Sequence, residues 1–422
     1  DELGDGVADL ALLGVQTELH TRFSSRRGLR VYYPVLTPPE RSENDGSRTA
    51  WERLLTPLHI GSPNRMPGPD PLADVPSEDL AWCHEAVQDV SRTFALTVDV
   101  LEEPMDSYIC LGYLLCRVAD TVEDASHIPP AEQAALLRTY DAVLDPTDDT
   151  EVEAFADDVE EWLPAPDERN ADWAVVASAP RIVATFEALP ADVREAITPP
   201  VREMVDGMAE FVERYADDGG LRIDDQRELE EYCYYAAGTV GNLITNLVTR
   251  GDIDAERERT LYETAEEFGL LLQLVNVSKD VYDDYDEENN VYLPAEWLAE
   301  EGVEQDEVLD PAKREGATSV VRRTTDLARS YLDDAGTYLQ HVPLRDGNTL
   351  EAWAVPFLLA VGTLREVREH PEDVLTDAGV KVSRQEVFAV VSAMSDRGRE
   401  SLPELRDRIA AAPFHRSPTS AD

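Results

Sequence analysis

Asp120 and Asp124 stand four residues apart, and Asn276, Asp280 and Asp284 repeat that interval twice in a second stretch about 160 residues later. Four residues is one turn of helix, so each set lies on a single helix face. Carboxylates stacked in this way repel each other unless a cation holds them together. A helical acidic pair is ordinarily a solvated face, above all in a chain this acidic. Here the flanking residues are apolar, so both elements direct their acids from buried positions, and two such clusters imply a cavity that binds several divalent ions. Glu123, at the third position of the first turn, either joins them or faces solvent.

The elements that must position these residues read as helices throughout. Periodic apolar spacing predicts helices near 78–100, 104–125, 130–143, 171–186, 190–216, 225–249, 255–287, 316–340, 348–369 and 383–411, the last broken at Pro403. Pro104 suits the first turn of its helix. The Asp- and Pro-punctuated segments 145–168 and 285–290 read as loops. No strand alternation persists and no repeat of fixed period exists, so the fold class is all-α, in a single domain. Residues 1–75 read as an extension. The first 65 residues carry nine acidic and eight basic side chains, against 78 and 29 in the remainder, and are rich in Pro, Ser and Arg. They are either a flexible extension or a non-native one preceding a natural start at Met66. Residues 76–370 form the functional unit and 371–422 a charged, helical tail.

Composition narrows the possible partners. The formal net charge is −50, and of 37 basic residues only Lys279, Lys313 and Lys381 are lysine. An acidic, lysine-poor surface stays hydrated in molar salt, where the Debye length falls to about 3 Å and self-repulsion is screened. The chain therefore reads as a cytoplasmic protein of a salt-accumulating, halophilic organism, since the charge is spread rather than gathered in one acidic tail. No basic stripe exists to neutralise phosphates, which argues against nucleic acid. Cys83, Cys110, Cys116 and Cys233 lie in apolar helical patterns without a Cys-x-x-Cys pair and read as reduced core residues. The longest apolar run, Trp353 to Val361, is too short to span a bilayer, and no basic region followed by an apolar run marks a leader. A monomer with at most peripheral membrane contact is expected.

The first acidic stretch belongs to a longer string, Ser91-Arg92-Thr93-Phe94 followed by Tyr113-Leu-Leu-Cys-Arg117-Val-Ala-Asp120-Thr-Val-Glu-Asp124. Tyr232-Cys-Tyr-Tyr-Ala-Ala-Gly238-Thr-Val-Gly241 comes next, then Gly269-Leu-Leu-Leu-Gln273-Leu-Val-Asn276-Val-Ser-Lys279-Asp280-Val-Tyr-Asp-Asp284. Tyr292-Leu-Pro294 and the run from Ala354 to Leu364 complete the series. Over roughly residues 78–370 this ordered series resembles the squalene/phytoene synthase family, most closely its squalene-forming members. The resemblance implies an isoprenoid-synthase-type helical bundle around a central cavity. It also implies head-to-head condensation of two farnesyl diphosphates to presqualene diphosphate, followed by NADPH-dependent reduction to squalene. The same condensation without reduction, as in phytoene or dehydrosqualene synthases, is the alternative. A noncatalytic acidic scaffold would leave the apolar surroundings and the partner motifs unexplained.

The resemblance assigns roles residue by residue. Asp120, Asp124, Asn276, Asp280 and Asp284 would hold Mg²⁺ ions that bridge to diphosphate. Ser91, Arg92, Arg117, Gln273, Lys279 and Gly238 would contact substrate, the basic ones among them neutralising the departing diphosphate. Phe94, Tyr113 and Tyr232 would line a dry pocket whose ring faces favour a carbocation. The Tyr232 hydroxyl would take up a proton as the cyclopropyl intermediate forms. NADPH rests on the resemblance alone, since no dinucleotide fingerprint is present. One departure stands out: residues 285–290, Tyr-Asp-Glu-Glu-Asn-Asn, lack the basic residue that relatives carry there. Asp283, Asp286 and the acids beyond read as salt-adapted surface.

Overall fold

The computed structural model describes residues 70–416 apart from Asp396, and the side chains of Arg92 and Thr93 are not described. The expected extension therefore lies almost wholly outside the described residues. The helices run in chain order as α1 (Ser77–Val90), α2 (Arg92–Val100), α3 (Met105–Glu123), α4 (Pro130–Leu144), α5 (Val152–Val159), α6 (Ala171–Ala177) and α7 (Ala179–Glu187). They continue as α8 (Ala191–Arg214), α9 (Gln226–Cys233), α10 (Thr239–Thr249), α11 (Ala255–Lys279), α12 (Val281–Glu288) and α13 (Ala295–Glu300). The last five are α14 (Arg314–Ser330), α15 (Leu332–His341), α16 (Glu351–Glu369), α17 (Arg384–Ser395) and α18 (Leu402–Ala411). Among the described residues no strand forms, only one isolated bridge between Arg222 and Val291.

Several expected helices are divided, each for a local reason. The 78–100 segment breaks at Ser91, whose backbone is extended and whose Oγ accepts from the Phe94 N–H at 3.0 Å, capping α2. The 255–287 segment breaks at Asp280, although the Asp280 N–H still donates to Asn276 O and the Asp284 N–H to Asp280 O, both at 2.9 Å. The break therefore turns the chain without losing the turn-to-turn register of the acids. Between α9 and α10 the residues Tyr234–Gly238 form a π-helical turn, an irregularity often found beside functional sites. The presumed loop 145–168 contains α5, whose Phe155 and Val159 are buried, and the presumed loop 285–290 is helical as far as Glu288.

Two helices form the centre. Every residue of α3 from Ser107 to Val122 is buried, as is every residue of α11 from Phe268 to Lys279. A helix buried all round must satisfy its polar side chains with one another or with a ligand. Helix α3 packs against α1, α4, α6, α7 and α8, and α11 against α10, α14, α15 and α16. Helix α11 approaches α10 and the π-helical turn before it backbone to backbone. A Cβ on Gly269 would meet Ala237 O at 2.2 Å, and one on Gly241 would meet Ala265 O at 2.1 Å, so only glycine fits.

The tail is fastened to this core. Arg365 on α16 pairs with Glu386 on α17, with both side chains at most 3% exposed, and also donates to Ile409 O at 2.6 Å. Glu386 in turn accepts the Phe414 N–H at 2.8 Å. No helix among the described residues is long and apolar enough to cross a membrane.

Candidate active site

The last turn of α3 carries the first acids. Gln133 ties down the end of that helix by donating through Nε2 to the carbonyls of Val122, Glu123 and Ala125 at 3.1, 2.7 and 3.2 Å. Asp120 is buried, whereas Glu123 and Asp124 are half-buried at the helix end. Arg117, one turn earlier, is buried and pairs through Nε and Nη2 with Asp172 on α6, at 2.8 and 2.5 Å.

The second set hangs from the end of α11 and the start of α12. Asn276 donates through Nδ2 to Gln273 Oε1 at 3.4 Å, which orients its amide and leaves Oδ1 without a hydrogen-bond partner among the described residues. Asp284 Oδ1 is likewise buried without such a partner. Lys279 is buried and ion-paired with Asp280. A buried amide oxygen and a buried carboxylate oxygen, each lacking a donor, are what a hard cation requires. The donor set therefore fits Mg²⁺.

The two sets face each other. Burial raises Asp284 well above the usual carboxylate range, and repulsion from Asp280 and, across the cleft, Asp124 adds to it. Burial pushes Asp124 up to about 6, while a hydrogen bond from Glu123 and the Arg117 charge oppose the rise. Glu123 is raised further, by burial and then by Asp124. Burial also raises Asp280, against the pull of Lys279. Glu123 thus joins the cluster rather than facing solvent.

Sequence reasoning missed one member. Glu288, dismissed as surface together with the acids past Asp284, is half-buried and raised by burial and by Asp124, Asp284 and Glu123. It lies one turn beyond Asp284 on the same helix, so continuing the four-residue interval would have found it. Asp283 is also half-buried and raised by burial, with Lys279 and Lys381 opposing. Asp286 is exposed, in keeping with its surface reading.

Aromatic residues lie beside the acids and along α3 behind them. Tyr232, at the end of α9, is buried with its hydroxyl 3.1 Å from that of Tyr292 and its ring edge-on to Phe211. Burial raises Tyr232 far above its ordinary value, and the charges of Glu123, Asp124 and Glu288 act in the same direction. Phe94 and Tyr113 stack with centroids 4.1 Å apart and line a small apolar cavity together with Cys116, Leu243 and Trp353. Gly238 stands at the crossing of α10 and α11, where a Cβ would meet Tyr234 at 2.7 Å. Ser91 is buried and serves as the cap of α2, and the Arg92 side chain lies outside the described residues.

Two basic residues from elsewhere in the chain approach α12 and the segment that follows it. Lys381, exposed in the segment before α17, acts on both Asp280 and Asp283. Arg222 donates through Nη2 to Asn289 Oδ1 at 2.9 Å and also reaches Asn289 O, fixing the end of α12 from behind. Asn290 donates to Glu288 Oε2 at 3.1 Å and to the Tyr292 hydroxyl at 3.3 Å.

These helices define an all-α fold in which the acids at the end of α3 approach those of α11 and α12, with an aromatic-lined apolar cavity beginning one turn back along α3. The chain belongs to the squalene/phytoene synthase family, whose model matches residues 87–386 and so runs past residue 370 into the tail. It is 27% identical over 324 residues to squalene synthase ERG9 of Candida albicans, covering 75% of this chain and 66% of that protein. Against the squalene synthase LSS of Botryococcus braunii it is 26% identical over 295 residues, covering 69% and 59%. The chain thus spans less than two thirds of the length of these relatives. A solved complex of TcSQS with the ligand BPH1237 superposes with a TM-score of 0.66 at 24% identity, covering 82% of this chain and 94% of that one. A ligand complex of a dehydrosqualene synthase gives a TM-score of 0.54 at 22% identity, covering 78% and 98%. Both likenesses concern the fold, which is of the isoprenoid-synthase type.

Proposed function

We propose that this protein condenses two farnesyl diphosphates head to head to presqualene diphosphate, releasing diphosphate, and then reduces that product to squalene with NADPH. The observation that carries this reading is the opposition of the α3 acids to Asn276, Asp280 and Asp284, with bare buried oxygens on Asn276 and Asp284. Asp120, Asp124, Asn276, Asp280 and Asp284 would hold Mg²⁺, with Glu123 and Glu288 beside them. Bound there, Mg²⁺ neutralises the diphosphate and makes it a competent leaving group. Lys279 supplies fixed positive charge toward the same group, and Arg117 does so from its pair with Asp172. The stacked rings of Phe94 and Tyr113 exclude water and present π-faces to the allylic cation.

Tyr232 would take up the proton lost when the cyclopropane closes while passing its own phenolic proton to Tyr292 or a neighbouring carboxylate. For the reduction, Lys381 at the rim offers a positive charge to a cofactor phosphate, and this finer step rests on the likeness to squalene synthases. The test is incubation of the full chain with farnesyl diphosphate and Mg²⁺ in molar KCl, with and without NADPH, followed by lipid analysis. Presqualene diphosphate without NADPH and squalene with it are expected. Dehydrosqualene in both arms would remove the reductive step, and absence of farnesyl turnover would overturn the whole reading.

A further inference from the structure

The apolar cavity has an orientation that the helices define. Its lining on α3 runs from Cys116, one turn from Asp120, back to Ile109, so it spans about 10 Å of the helix and ends about 16 Å from Asp120. On α10 it is lined by Val240, Leu243 and Ile244, from the first turn to the middle of that helix. Trp353, at the start of α16, also lines the cavity and is 1% exposed.

The loop before α16 shows at which end Trp353 sits. Gly347 O accepts from the Glu102 N–H at 2.8 Å, and Thr349 Oγ1 donates to Val100 O at 2.9 Å, both just ahead of α3. Arg345 donates to Arg250 O and Asp252 O at 2.8 and 2.6 Å, just past the end of α10. Trp353 therefore stands where α3 begins and α10 ends, opposite the acids.

The indole is also held in one orientation. Its Nε1–H donates to Asn348 Oδ1 at 2.7 Å, and Asn348 Nδ2 donates to Pro343 O at 2.6 Å. Asn348 is itself buried and does not line the cavity. A large ring that could rotate aside would make a poor barrier, whereas one fixed through a buried amide to a tethered loop makes a rigid one.

We propose that Trp353, positioned by Asn348, closes the far end of the cavity and sets the longest prenyl chain the enzyme accepts. This rests on the prenyl diphosphate reading above. It is tested by titration calorimetry of the full chain, with Mg²⁺ in molar KCl, using the non-ionising thiolodiphosphate analogues of farnesyl and geranylgeranyl diphosphate. Wild type should favour the shorter analogue by about tenfold or more, the scale on which an apolar pocket discriminates size. Trp353→Leu should abolish most of that preference. Asn348→Ala, which removes both the acceptor for the indole and the tether to Pro343 O, should shift it the same way by a smaller factor.

Thermal melts identify any variant that fails to fold, and since Asn348→Ala leaves the indole in place it carries the test if Trp353→Leu unfolds. An unchanged ratio in folded variants that still bind the farnesyl analogue overturns the length stop, as does equal binding of both analogues by wild type. Failure of wild type to bind either analogue instead sinks the prenyl diphosphate reading itself, and the length stop with it.

Discussion

The hydroxyls of Tyr232 and Tyr292 lie 3.1 Å apart in a buried pair, reached on one side by the Asn290 amide and facing Glu123 and Glu288 on the other. Residues 60 positions apart thus form a hydrogen-bonded pair of hydroxyls beside the acidic cleft. If Tyr232 takes the proton in the first condensation, Tyr232→Phe should lower kcat for presqualene diphosphate formation by about 100-fold or more, with KM little changed. Tyr292→Phe leaves the Tyr232 hydroxyl in place and should cost about tenfold or less. Diphosphate release measures both, and near-wild-type kcat in Tyr232→Phe would show that another group handles the proton.

The acids also make stability depend on pH. Asp124 is pushed up to about 6, and Glu123, Asp284 and Glu288 are raised further, in each case first by burial. The folded protein therefore retains protons that the unfolded chain has already released. The stability these groups contribute is complete below about pH 4 and is lost as pH rises through about 6 and beyond. In EDTA, the melting temperature of wild type should fall more steeply between about pH 5 and about pH 7 than that of Asp124→Asn. Mg²⁺, which binds the deprotonated form, should raise it more at the upper pH. Parallel slopes for the two proteins would contradict the assignment.

Much of this site could be read from spacing, because an interval of four on an apolar helix has few explanations. Asp120, Asp124, Asn276, Asp280 and Asp284 were singled out in this way, and in the structure Asp124 lies close enough to act on Asp284. Glu288 was not found: the residues around it are mostly acidic, so one more carboxylate carried no contrast against a −50 background. The pairing of Arg117 with Asp172, 55 residues away, left no local trace. Lys381 did leave a trace, since lysine is so rare in this chain, but only Lys279 was adjacent to a motif that drew attention to it. The breaks at Ser91 and Asp280 depend on caps and turns of one residue, which a periodic apolar pattern does not resolve.

The tail is fastened by a charge pair that is costly to break. Arg365 and Glu386 are both buried, and the pair is joined by Ile409 O and the Phe414 N–H. Removing one charge leaves the other without compensation, so Arg365→Met should cost about 3–5 kcal/mol of unfolding free energy. Arg365→Met combined with Glu386→Gln should recover part of that loss, because no buried charge then remains. Denaturant titration of the three proteins separates the outcomes, and equal stability of single and double variants would mean that the pair contributes through packing alone.

The account rests on the α3 acids and the α11–α12 acids holding the same ions. Titration calorimetry of Mg²⁺ in the presence of inorganic diphosphate, on wild type, Asp124→Asn, Asp284→Asn and the double variant, tests this most directly. Each single substitution should weaken binding by about tenfold or more, and the double should lose clearly less than the product of the two, because both act on one shared site. Losses that multiply as independent sites do, or unchanged binding in Asp124→Asn, would contradict it.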